Sequence, residues 1–129
     1  MITNPRKRFL KQERKRLSKI IETIPVRFEI IAEGKKMIRE GIRQDYDRLK
    51  ETIDAANTKI MAEKTKRNSD QKIIGQMCDF IAKHEKDLKQ FEEQMSSLDK
   101  ELEEVEVTKI SRIEAARSYK MLVENLLKK

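Results

Sequence analysis

Large apolar residues recur at heptad spacing along most of this chain, although only 37% of its residues are apolar. When position a is set at Tyr46, 19 of the 25 a and d sites from Ile42 to Leu126 are apolar. A seam of this kind, held over many heptads, predicts a left-handed coiled coil. The residues predicted to form the seam of a dimer are Leu49, Ile53, Ile60, Ile74, Met77, Ile81, Leu88, Phe91, Met95, Leu98, Leu102, Val105, Val123 and Leu126.

Pro25 is the first residue that interrupts helical structure. It has no backbone N–H and disfavours helical geometry at Ile24, so a helix over residues 6–24 should end or kink there. No later residue forces a stop, because an isolated glycine weakens a helix without breaking it. The sequence therefore predicts an all-α fold with three segments. They are a basic N-terminal helix (1–24), a partner-binding helix with a wide apolar face (25–42) and a heptad coiled coil (43–129) that forms a parallel dimer.

An antiparallel helical hairpin turning near residues 66–70 is the alternative fold. The polar gap from Glu63 to Asp70 lies near the midpoint of the chain, and Asn68 with Gln71 has the spacing of a capping box. However, the heptad phase is the same on both sides of the gap, and the gap contains no Gly or Pro for a tight reversal. These two observations favour one continuous helix after Pro25.

The apolar stripe is wider between Val26 and Ile42 than a two-chain seam requires. The phase changes there, since Ile31 and Ile38 fall at position g of the downstream register. A face this wide usually contacts more than one neighbour. The residues predicted to bind a partner are Val26, Phe28, Ile30, Ile31, Met37, Ile38 and Ile42.

The net charge of +7 over 129 residues is concentrated at the N-terminus. Residues 1–19 contain one acid, Glu13, and the remainder of the chain is balanced. Such a segment predicts contact with an anionic surface, and its sequence could also serve as a nuclear import signal. The basic residues predicted to make that contact are Arg6, Lys7, Arg8, Lys11, Arg14, Lys15, Arg16 and Lys19.

The composition offers little for catalysis. Charged residues make up 41% of the chain and aromatic residues 5%, which is typical of long helices. The single histidine, His84, lies at a d position without a second metal ligand at a suitable spacing, and the single cysteine, Cys78, lies beside the seam. We expect no enzyme activity, cofactor or metal site. One cysteine without a signal peptide or membrane span indicates a reducing compartment, the cytoplasm.

The stretch "VRFEIIAEGKKMIREGIRQDYDRLKETI" resembles the N-terminal coiled coil of the MgcRacGAP family, the Rho-GTPase-activating subunit of centralspindlin. The resemblance is ungapped over about thirty residues of the 129. Residues that match the family's basic, acidic and aliphatic run are Arg27, Glu29, Ile30, Ile31, Glu33 and Gly34. Its continuation is matched by Asp45, Tyr46, Asp47 and Lys50. The basic residues 1–19 and Pro25 have no counterpart in the family's pattern.

This resemblance implies a parallel homodimer that binds a mitotic kinesin-like protein. The assembly would bundle microtubules at the spindle midzone and midbody in cytokinesis, with the basic segment near kinesin or tubulin. It also implies that a lipid-binding zinc module and a GTPase-activating domain lie further along a longer protein. On this interpretation Phe28, Ile31, Ile38 and Ile42 anchor the kinesin.

Two other functions remain open from the sequence. The first is a hairpin stalk or chaperone, similar in shape to the stalk proteins of bacterial type III secretion, which the midpoint gap and basic balance favour. The second is a nucleic-acid-binding coiled coil that uses the basic segment. We expect it less, because a basic zipper continues its basic helix straight into the coiled coil, and Pro25 interrupts that path.

Overall fold

The computed structural model describes residues 4–129, which form two long helices. Helix α1 spans Pro5–Lys64 and helix α2 spans Gln71–Lys128. The predicted all-α fold is confirmed. Neither helix has an apolar window long enough to cross a membrane over the described residues.

Helix α1 begins at a cap that its first residues encode. The Asn4 side chain accepts a hydrogen bond from the Arg6 N–H at 3.0 Å, and the Arg8 N–H donates to the Asn4 carbonyl at 3.0 Å. Pro5 takes the first helical position, where its fixed φ fits and its missing N–H costs nothing.

Pro25 does not end the first helix, so of the two predicted outcomes, an end or a kink, the helix end is wrong. Helix α1 contains Pro25 in its interior. A proline inside a helix costs roughly 3 kcal/mol, chiefly through one lost hydrogen bond and a clash with the preceding turn. Contacts with α2 on both sides of Pro25 offset this cost, since Leu17 packs against Val123, and the Arg112 guanidinium stacks over the Phe28 ring at 5.4 Å.

The continuous helix expected after Pro25 is also wrong, because the chain turns between Lys64 and Gln71. The Glu63 side chain accepts a hydrogen bond from the Asp70 N–H at 3.0 Å and forms an ion pair with Lys66 at 2.9 Å. These bonds, with the Asp70 N–H as the main cause, hold the pKa of Glu63 below its ordinary value. Glu63 therefore closes the turn as a carboxylate.

Asp70 caps the second helix. Its side chain accepts a hydrogen bond from the Lys72 N–H at 2.9 Å, and its carbonyl accepts one from the Ile74 N–H at 3.1 Å. The N-cap is thus Asp70, two residues after Asn68, which the sequence predicted as the N-cap. Glu63 and Asp70 are the d positions on either side of the gap, and they are hydrogen-bonded across the turn. A closed turn therefore keeps the same heptad phase on both sides, as an unbroken helix would.

The chain divides into two compact units, each containing part of both helices. One unit consists of Lys36–Lys100 and includes the turn. Its two helical segments run antiparallel and pack around Ile53, Ala56 and Ile60 from α1 and Ile74 and Ile81 from α2. Leu49, Met77 and Leu88 extend this cluster.

The other unit combines the described residues up to Lys35 with Glu101–Lys129. Its core is smaller: Leu10 and Leu17 of α1 are buried with Val123 of α2, beside Leu126 and Leu127. Val123, at 2% exposure, is the most buried apolar residue of the described chain. Two helices alone leave most side chains in partial contact with water, so the apolar core is thin.

Candidate protein-interaction surfaces

The predicted seam residues make contacts inside one chain. Those nearest the turn belong to the cluster of Lys36–Lys100, and Val123 and Leu126 belong to the cluster of the other unit. Phe91, Met95, Leu98, Leu102 and Val105 are half-buried. The predicted seam residues are therefore all buried or half-buried, and each of the two clusters joins residues from both helices of one chain.

The heptad register of α1 continues upstream of Ile42 without the predicted change of phase. Moving toward the N-terminus, the half-buried positions are Ile42, Arg39, Lys35, Ala32 and Phe28, which are the d and a sites of the downstream register. The sequence analysis missed this continuity because polar and small residues occupy three of the five sites. Large apolar residues beside them suggested a different face.

Ion pairs replace apolar contacts at two of these sites. In the unit that contains both termini, Lys35 pairs with Glu101 at 3.2 Å. In the unit that contains the turn, Arg39 pairs with Asp99 at 2.7 Å and makes a second hydrogen bond to the same carboxylate at 3.3 Å. Partly exposed pairs of this kind contribute only about 0–1 kcal/mol each, so this stretch of α1 is weakly held.

The large apolar residues of the same stretch are exposed. Val26, Ile30 and Ile31 are 55%, 67% and 47% exposed, and in the other unit Met37 and Ile38 are 73% and 58% exposed. Five of the seven residues predicted to bind a partner are thus available at the surface. The other two, Phe28 and Ile42, are half-buried on the side that faces α2.

Gly34 and Gly41 lie among these exposed apolar residues. A methyl group added at either glycine would meet no atom within 4 Å. Internal packing therefore gives no reason for glycine at these positions, where each costs about 1 kcal/mol of helix stability relative to alanine.

The basic segment of residues 5–19 forms a charged surface on α1. Its one acid, Glu13, pairs with Arg16 at 2.9 Å, and the Arg16 hydrogen bonds hold the pKa of Glu13 below its ordinary value. The other basic residues of the segment have no ion pair within residues 4–129. A shallow depression of about 370 Å³ is lined by Lys7, Arg8, Lys11, Arg14 and Lys15, with Asn4 and Gln12.

The fixed heptad count puts Lys109 at an a site of α2 and Arg112 and Tyr119 at d sites. Lys109 is half-buried and pairs with Glu106 at 2.9 Å, whereas Arg112 and Tyr119 are exposed and Ile113, Ala116 and Lys120 are half-buried instead. The buried stripe of α2 therefore advances by four residues, not three, after Lys109. The burial of individual side chains in the structure reveals this shift, whereas a strict heptad count along the sequence does not.

His84 and Cys78 are the single histidine and the single cysteine of the chain. The His84 ring contacts Phe80 edge-on at 4.1 Å, and its Nδ1 lies 3.7 Å from an Asp87 carboxylate oxygen, outside hydrogen-bonding distance. The Cys78 thiol is free and exposed. Within residues 4–129, no three His, Cys, Asp or Glu side chains converge as metal ligands do.

The residues that carry the family resemblance are mostly at the surface. Arg27, Glu29, Ile30, Ile31, Glu33 and Gly34 are all exposed, and so are Asp45, Asp47 and Lys50. Tyr46 is half-buried, and its hydroxyl donates to Glu92 at 3.1 Å. Comparison of the chain with protein-family models, curated proteins and solved structures finds no match, so the geometry of these surfaces carries the functional argument.

Proposed function

We propose that this protein is a non-catalytic two-helix scaffold that binds a partner protein through the apolar residues exposed on α1. One observation carries the proposal: in the unit that contains both termini, Ala32 and Lys35 follow Phe28 on the packed side of α1, while the larger apolar residues Val26, Ile30 and Ile31 are exposed. Exposed apolar groups close together mark interaction sites on soluble proteins. Helix binding through anchors at spacings of four and seven residues is a common mode.

The antiparallel pairing of the helices favours a stalk or chaperone component of a secretion apparatus as the setting. A stalk of this kind binds other proteins through its exposed side chains, and its apolar seam residues pack against each other within one chain. The observations in support are the reversal after Lys64 and the use of Ile53, Ile60, Ile74 and Ile81 in one internal cluster.

A paired-variant binding experiment tests this proposal. Immobilised wild-type protein is compared with Ile30→Asp/Ile31→Asp and with the control Val107→Asp/Ile110→Asp, which adds the same charges at exposed apolar positions of α2. We expect partner proteins that the wild type and the control retain equally to be lost from the α1 variant. Equal retention by all three proteins would refute the proposed surface. Circular dichroism establishes that each variant keeps its helical content.

A central-spindle scaffold is a second candidate, favoured by the exposure of the residues that resemble the MgcRacGAP family. In that candidate the chain forms a parallel homodimer, the seam residues pair between chains, and a mitotic kinesin-like protein binds at residues 26–42. Its location would be the spindle midzone and midbody.

Two measurements test this second candidate. A cysteine introduced at Leu126 in a Cys78→Ser background should give same-end crosslinked dimers if the chains are parallel. Ile31→Asp/Ile38→Asp should abolish binding of a purified kinesin-like neck segment and leave the dimer intact. Absence of the crosslinked dimer would eliminate this candidate without affecting the first.

A further inference from the structure

The basic segment of α1 carries a cluster of cations that no carboxylate of the described chain neutralises. Lys7, Arg8, Lys11, Arg14 and Lys15 line one depression, and the only acid among residues 5–19 is already paired with Arg16. Like charges this close repel one another, which destabilises the folded state unless an anion compensates them. The cluster therefore has the electrostatic character of a binding surface.

Packing fixes which side of the helix the cluster occupies. Leu10 and Leu17 are buried with Val123 of α2, whereas every Lys and Arg of residues 5–19 is exposed. The helix is also capped at Asn4. The cations are thus presented on a formed helix, and little conformational entropy is lost when they bind.

The spacing of the lysines is regular. Lys7, Lys11, Lys15 and Lys19 follow one another at every fourth residue, which on an α-helix is a rise of about 6 Å per step. Nucleic acid presents phosphates at regular intervals, about 3.4 Å of axis apart on each strand. Cations distributed along about 18 Å of helix suit an extended, repeating anion better than a single small one.

The other helix adds to the same charge. The end of α2 packs against this segment through Val123, Leu126 and Leu127. Residues 117–129 contribute four cations, Arg117, Lys120, Lys128 and Lys129, against one acid, Glu124. Both helical segments at this core are therefore basic.

We propose that this basic surface binds the phosphate backbone of nucleic acid without sequence specificity. Nucleic acid was less expected from the sequence because Pro25 should interrupt the basic helix, but α1 continues through Pro25. A membrane surface fits the α1 side less well, because Phe9 is the only large apolar residue of residues 5–19 that is exposed and interfacial helices need an apolar face. The end of α2 exposes Tyr119, Met121 and Leu122, so the test below includes lipid vesicles. An acidic protein fits less well for the same reason, since such interfaces have an apolar centre.

Binding of a fluorescent 20-base-pair DNA duplex, measured by anisotropy from 50 to 200 mM salt, tests this proposal. The test variant is Lys7→Gln/Lys11→Gln/Arg14→Gln/Lys15→Gln. The control, Lys59→Gln/Lys64→Gln/Lys72→Gln/Lys83→Gln, removes the same charge from exposed positions of Lys36–Lys100. Glutamine keeps a helix propensity close to that of lysine and arginine, and circular dichroism verifies folding.

We expect wild type and control to bind with a log–log salt slope of about −4 or −5, since each neutralised phosphate contributes about −0.9. The test variant should bind at least about tenfold more weakly at 100 mM salt, with a slope about 3 to 4 smaller in magnitude. Equal losses in both variants would show that net charge, not this surface, produces binding, and would overturn the proposal. Tighter binding to phosphatidylserine vesicles or to polyglutamate than to the duplex would also overturn it. Neither result bears on the apolar surface of α1.

Discussion

Two apolar stretches of the same helix behave in opposite ways. Between Leu49 and Ile60, the large apolar side chains of α1 lie at a and d positions and pack into the cluster around Ile53. Between Val26 and Ile38, most of them lie at other heptad positions and remain exposed. Both stretches are rich in isoleucine and part of one continuous helix.

The difference shows that heptad register, more than local hydrophobicity, decides which residues become core. α2 packs along the a and d positions of α1 even where these hold Ala32, Lys35 and Arg39. Keeping the register through these sites avoids a local change of helix phase, and the ion pairs to Glu101 and Asp99 satisfy the charges. The apolar residues outside the register remain exposed.

The largest expected effect comes from placing the same substitution in the two stretches. Ile60→Asp should lower the free energy of unfolding by about 3 kcal/mol or more, because it removes a buried aliphatic group and introduces an unpaired carboxylate. Ile30→Asp should change it by less than about 1 kcal/mol, because Ile30 is 67% exposed. Urea titration of both variants measures the contrast. Equal destabilisation would mean that Ile30 also belongs to the core.

An intermediate effect of opposite sign is expected at the exposed glycines. Gly34→Ala should raise the free energy of unfolding by about 0.5–1 kcal/mol, since the added methyl group meets no neighbour. Gly41→Ala should behave in the same way for the same reason. Thermal unfolding measures both. A loss of stability would show that the glycine positions are packed.

If the exposed apolar stretch needs close backbone approach by its partner, these stabilised variants should bind that partner more weakly.

The smallest expected effect concerns pH and the turn. The pKa of Glu63 is lowered by the Asp70 N–H and Lys66, so its ionised form stabilises the folded state. This contribution is fully present above the ordinary glutamate pKa of about 4.3 and is lost as pH falls through the lower folded pKa. Melting temperatures of wild type and Glu63→Gln should therefore converge as pH falls below 4.3. A difference that persists unchanged at lower pH would contradict this role for Glu63.

Much of the fold was predictable from periodicity alone. The heptad pattern correctly predicted an all-α chain, because burial of a and d residues leaves a strong repeat. It failed after Lys109, where Ile113 and Lys120 are half-buried in place of the d sites Arg112 and Tyr119. It did not identify the turn, because the bonds that close it depend on Glu63 reaching Asp70 over seven residues. The heptad phase is the same on both sides of the closed turn, and this equal phase had favoured an unbroken helix.

The candidate surfaces were predictable only in part. Exposure of Ile30, Ile31 and Met37 agrees with their predicted availability to a partner. Phe28 and Ile42 were assigned to the same face, but their direction depends on which side of α1 contacts α2. The helix end predicted at Pro25 rested on the local cost of a proline inside a helix. In the structure, packing at Leu17 and Phe28 outweighs that cost.

A disulfide trap tests most directly whether the apolar seam residues of α1 and α2 pack against each other inside one chain. Leu17 and Val123 share one buried cluster, so Leu17→Cys/Val123→Cys in a Cys78→Ser background places two thiols side by side. After mild oxidation, the account predicts a crosslinked product that runs at the monomer mass of 15.3 kDa under non-reducing conditions. Crosslinks that join two chains at twice that mass, with no intrachain product, would contradict it and favour pairing of the seam between chains.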